Sequence, residues 1–148
     1  MKNCFFIGHR DADNHLLPRI IEAAERLILE EHVTVFYVGC YGNFDRMAGQ
    51  AIVQLKIQYP SILLYLVLPY HPADKPMETP AGYDGTFYPD GMESVPPRYA
   101  ISRANYKMID TCDFLIAYVT HTVSNACNLW EYAMHRQKKG LIRVINLR

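Results

Sequence analysis

Five short apolar runs, separated by segments with helical spacing, constrain the fold of this 148-residue chain more than any other feature. They are "CFFIG" (4–8), "VTVFYVG" (33–39), "ILLYLVL" (62–68), "DFLIAYV" (113–119) and "LIRVINL" (141–147). Most are continuous rather than alternating, which is the pattern of strands covered on both faces. In the intervening segments apolar residues recur at intervals of three and four. Leu17, Ile20, Ala24, Leu27 and Ile28 make one stripe; Phe44, Met47, Ala51, Ile52 and Leu55 make a second. Ile101, Ala104, Met108 and Cys112 make a third, and Leu129, Trp130, Ala133 and Met134 belong to a fourth. Each stripe is broad enough to lie against a sheet. Alternation of this kind implies right-handed crossovers and a three-layer α/β domain, with a mostly parallel five-stranded sheet and helices on both faces.

The helix limits carry their own punctuation. Pro60 cannot continue the second helix. "KKG" at 138–140 puts two lysines at the carbonyl end of the last helix, before a glycine C-cap. One stretch breaks the rhythm. Residues 69–97 hold seven prolines and four aromatic residues. A connection of this length is usually functional or disordered. Its tyrosines and Phe87 are expected to hold it on the surface as an ordered flap.

Charge and cysteine content narrow the function. Fifteen basic and fifteen acidic residues cancel, with no basic tail or stripe, so nucleic acid is not an expected partner. The longest apolar run, Ile62 to Tyr70, is about half of what a membrane span requires. "MKNCFFIGHRD" lacks the apolar core of a signal peptide. The four cysteines are widely spaced, so a reduced, cytoplasmic protein is expected. No pair of Cys or His has zinc-ligand spacing, and neither a metal nor a cofactor is expected.

In an open parallel sheet, ligands bind beyond the carboxyl ends of the strands. The unusual residues of this chain collect at those ends. After the first strand come Gly8, His9 and Arg10; after the second, Gly39, Gly42 and Asn43, with Asn43 placed to cap the next helix. Tyr70 follows the third strand. Thr120, His121, Ser124 and Asn125 follow the fourth, and Arg103 lies in the third helix. Backbone donors at the two helix starts, with Arg10 and Arg103, suit an anion such as a phosphate. Each residue also has a structural reading: Gly39 and Gly42 as turn glycines, His9 as a core histidine, Ser124 or Asn125 as a helix cap.

The blocks "FIGHRD", "GNFDRMA", "LVLPY", "FYPDGMESVPPRYAISRANYKMID", "CDFLIAYVTH" and "WEYA" resemble the small SLOG-superfamily proteins of bacteria. The resemblance runs from Phe5 to Leu147 and implies a Rossmann-like domain over 1–148 that binds a nucleotide-like ligand. The superfamily includes lysine-decarboxylase-like enzymes that hydrolyse nucleoside monophosphates. Glu131 falls on the glutamate of their P-G-G-x-G-T-x-x-E block, and Met108 on their helix methionine. The glycine turn of that block is replaced here by "THTVSNAC", and Arg103 is displaced by one position from the Arg of their Arg-Lys pair.

Three functions follow from the resemblance. The first is a sensory or regulatory module that binds a nucleotide or nucleotide-derived small molecule. The second is N-glycosidic hydrolysis, with Glu131 and Arg103 as catalytic residues. The third is a non-catalytic interaction protein, such as a component of a phage- or mobile-element-linked system. A homo-oligomer is expected in each case.

Overall fold

The computed structural model describes residues 1–120 and 124–148. His121 therefore lies outside the described residues. The strands are β1 (Lys2–Gly8), β2 (Val33–Val38), β3 (Leu63–Val67), β4 (Gly85–Phe87), β5 (Phe114–Tyr118) and β6 (Arg143–Asn146). The helices are α1 (Leu17–Glu31), α2 (Asn43–Gln58), α3 (Ala100–Thr111) and α4 (Asn125–Lys138). All pairings are parallel, and the sheet order is β4-β3-β2-β1-β5-β6.

Two apolar clusters make the three layers. α1 and α2 bury Ile20, Leu27, Phe44 and Ile52 with Phe6, Phe36 and Leu64 of one sheet face. α3 and α4 bury Ala104, Met108, Leu129 and Ala133 with Phe5, Ile7 and Leu115 of the other. The apolar stripes thus reach the sheet as their spacing requires. Trp130 and Met134 stop half-buried at the margin, and Cys112 falls one residue past the end of α3. Gly140 closes α4 in the left-handed region, with φ +73. The amides of Gly140 and Leu141 donate to the carbonyls of Gln137 and Arg136, the paired bonds of a Schellman ending.

The sheet has six strands, not five. The additional one, β4, comes from the segment expected to be irregular. "GTF" is too short to show a period in sequence, and its strand form depends on contacts far along the chain. The Asp84 carboxylate accepts from Leu64 N–H at 2.8 Å and from Lys56 Nζ at 2.6 Å. The Tyr83 hydroxyl presses on Gly49, where a Cβ would lie 1.9 Å from it. These contacts pin residues 83–84 to α2 and β3, so the next three residues join β3 as an edge strand. Residues 71–80 remain exposed.

Candidate functional site

The order of the sheet reverses at β1. The chain leaves β1 toward β2 on one side and returns to β5 on the other. Such a switch point opens a crevice beyond the strand ends, and a cleft of about 490 Å³ lies there. Gly8, His9 and Arg10 enter it from β1; Tyr41 and Asp45 from the start of α2. Ser124, Asn125 and Asn128 line it from α4, and Arg98, Ser102 and Asn105 from α3 and its approach.

Local packing explains how these groups converge. Gly8 has no side chain because the Phe44 ring occupies that space: a Cβ would lie 2.2 Å from its Cγ. Gly42 has φ +112, and a Cβ there would lie 2.6 Å from the Arg10 Cα. The loop after β1 and the start of α2 are thereby held in contact, and Asn43 N–H donates to the Arg10 carbonyl at 2.8 Å. Asn43 is the first residue of α2 rather than its cap. Its Nδ2 donates to Ala12 O and Asn14 Oδ1, and its Oδ1 accepts from Arg46 Nε. Its side chain is committed to holding that loop.

His9 is buried, and its Nε2 accepts the Thr120 N–H at 2.8 Å. That bond ties the end of β5 to the end of β1 and leaves the ring proton for Nδ1. Ser124 caps α4, its Oγ accepting Cys127 N–H at 3.0 Å. Asn128 N–H donates to the Ser124 carbonyl, so the first-turn N–H groups without an intrahelical acceptor are those of Asn125 and Ala126.

Of the residues expected from sequence, Gly8, His9, Arg10, Ser124 and Asn125 meet in the cleft. Gly39, Gly42 and Thr120 shape its margins without lining it. Tyr70 lies outside, under the Lys75 ammonium, which stands 4.8 Å from the ring centroid. Arg103 is exposed on α3, five residues past Arg98, and does not line the cleft. Glu131 is exposed on α4, where the Cys127 thiol approaches its Oε1 at 3.8 Å, and it too lies off the cleft.

Asp45, Ser102 and Asn105 were not singled out by the sequence. The i, i+3 polar pair Ser102 and Asn105 was a legible signal, since it lies beside the buried stripe of α3. Asp45 is visible only as an acid in the first turn of α2. Its Oδ2 accepts Tyr41 N–H at 2.9 Å, and the Gly39 backbone lies against the same oxygen. Burial raises its pKa from the ordinary 3.8 to about 6, opposed by the Tyr41 hydrogen bond and the Arg10 charge. Burial likewise pushes the Tyr41 hydroxyl well up, so it stays protonated.

The raised Asp45 pKa has a consequence for stability. Between about pH 4 and 6 the folded chain binds this proton more readily than the unfolded chain. Its contribution therefore becomes more favourable as pH falls through that window, and the ionised carboxylate costs stability above it. Asp45→Asn keeps an acceptor for Tyr41 N–H and removes the charge. It is expected to be more stable than the parent at pH 7.5 by about 2 kcal/mol, a gain that vanishes near pH 4. Urea unfolding at the two pH values measures this.

Among the described residues no three His, Cys, Asp or Glu side chains cluster in a way that would hold a metal ion. Among them, too, no helix is long and apolar enough to cross a membrane. No protein-family model matches this chain, and no curated protein matches it.

Proposed function

We propose that this chain is a binding module for a nucleotide or nucleotide-derived ligand, of the sensory or regulatory kind its SLOG-like blocks imply. One observation carries the reading. At the switch point of a parallel sheet, a single cleft combines the start of α4 with two arginines, Arg10 and Arg98. The positive end of a helix and guanidinium groups together favour a phosphate. Ser102, Asn105, Ser124, Asn125 and Asn128 add amide and hydroxyl groups among apolar side chains and two carboxylates, a mixed lining that suits a ligand held by hydrogen bonds and ring contacts.

Hydrolysis through Glu131 is disfavoured by where that carboxylate sits, and the acids that do line the cleft are Asp11 and Asp45. Hydrolysis of an N-glycosidic bond requires a carboxylate beside the reacting carbon, and Glu131 lies outside the cleft. Incubation with nucleoside monophosphates is expected to release no free base, and Glu131→Gln is expected to bind ligand as the parent does. Base release that depends on Glu131 would overturn this reading.

The direct test is mass spectrometry of small molecules released from the denatured pure protein, followed by calorimetry with a nucleotide panel. Arg98→Ala should weaken binding roughly 10–100-fold, the loss of one charge-assisted contact, whereas Arg103→Ala should leave it within about twofold. Absence of binding across the panel at millimolar concentration would refute the proposal. A homo-oligomer is compatible with it and is read by light scattering on the same samples.

A further inference from the structure

In the cleft Arg10 and Arg98 are joined by two carboxylates, the exposed Asp11 and the half-buried Asp45. This half-buried carboxylate lines the cleft, and its Oδ2 is engaged by Tyr41 N–H and packed against Gly39. Among the described residues no donor reaches its Oδ1, and no ion pair forms with Arg10 although the Arg10 charge acts on it. That oxygen remains available to accept a hydrogen bond from a group bound in the cleft. It also repels a phosphate, which must then lie toward Arg98 and the start of α4. The ligand that satisfies both ends carries an anion at one end and neutral donors at the other.

Resting on the nucleotide reading above, we infer that Asp45 is the acceptor for the vicinal hydroxyls of a sugar phosphate, so the cleft selects ribo- over deoxyribo-ligands. Sugar hydroxyls fit better than the amino group of a base, because Arg10, whose charge acts on Asp45, also lines the cleft and can reach a phosphate bound beside the sugar. Within a nucleotide, the hydroxyls are the donors closest to the phosphate. Ser102 and Asn105 of α3 line the same cleft and offer further polar partners to the sugar. The same chemistry is present in a ribonucleotide and in a free ribose phosphate, and only the base distinguishes the two.

The experiment is calorimetric titration of the full chain and of Asp45→Asn. The probes are adenosine monophosphate, its 2′-deoxy and 3′-deoxy forms, inosine monophosphate, ribose 5-phosphate and inorganic phosphate. The parent is expected to bind adenosine monophosphate roughly 10–100-fold tighter than either deoxy form, the range for a hydrogen bond to a charged acceptor. Asp45→Asn should lose most of that preference while its unfolding remains cooperative. Asp45→Glu, which keeps the charge but shifts it by a methylene, should lose it in part. Ribose 5-phosphate binding with the same Asp45 dependence would support the inference and assign the free sugar phosphate as the source.

Equal binding of ribo and deoxy forms by the parent would overturn the inference and leave the nucleotide reading standing. So would a preference that survives in Asp45→Asn. Discrimination of adenosine from inosine monophosphate without discrimination of the deoxy forms would overturn it in favour of base recognition. Failure of every probe to bind would refute both the inference and the reading beneath it.

Discussion

Replacing Phe44 with alanine is expected to destabilise the chain by about 3–5 kcal/mol and to lower its Tm by roughly 6–20 °C. The ring is fully buried in the first turn of α2. It fills the space left by Gly8 at the end of β1 and stacks on Tyr118 at the end of β5, with centroids 6.5 Å apart and planes 14° from parallel. It therefore supports both strands that flank the cleft. A cavity there should also loosen His9 and Arg10, so ligand binding should weaken together with stability.

A companion variant separates packing from general damage. Gly8→Ala alone should cost about 1–3 kcal/mol, because its Cβ would overlap the ring. In the Phe44→Ala background the same change should be nearly neutral or favourable, since the new methyl enters vacated space. Denaturant titration of the four proteins measures the coupling. Simple additivity would show that Gly8 and Phe44 do not share this contact.

Gly42→Ala is expected to cost about 3 kcal/mol or more, for two independent reasons. With φ +112 and ψ −179, Gly42 occupies a region essentially restricted to glycine, where a side chain costs about 1–3 kcal/mol. The new Cβ would also lie 2.6 Å from the Arg10 Cα, a backbone atom that cannot rotate away, which adds about 1–3 kcal/mol. Gly42→Asn should rescue nothing, because asparagine tolerates the left-handed helical region and not this one. Gly140→Asn is the control. Gly140 has φ +73 with open space around it, so the substitution should cost less than about 1 kcal/mol. Urea midpoints for the three variants test the contrast, and a mild Gly42→Ala would show that the two loops part readily.

The cleft was partly legible before the fold was known. Arg10 and Asn125 are polar residues following apolar runs, and an open sheet brings such positions to one edge. Asp45 was not legible, because an acid in the first turn of a helix usually serves the helix dipole. Only its juxtaposition with Tyr41, Gly39 and Arg10 makes it a half-buried acceptor in the cleft. Glu131 shows the opposite case. A residue aligned by motif need not reach the cleft, since its position around α4 decides whether it faces the ligand or solvent.

Local sequence determined the α/β alternation, the helix stripes and the glycine ending of α4, because continuous apolar runs, 3.6-residue spacing and capping residues act over a few positions. Only the tertiary structure decided the sixth strand, the packing reason for Gly8 and the membership of the cleft. Those depend on pairs far apart in sequence: Asp84 with Leu64, Phe44 with Gly8, and Thr120 with His9. Contacts of that kind leave no period in the sequence, since each involves one residue meeting another across the fold.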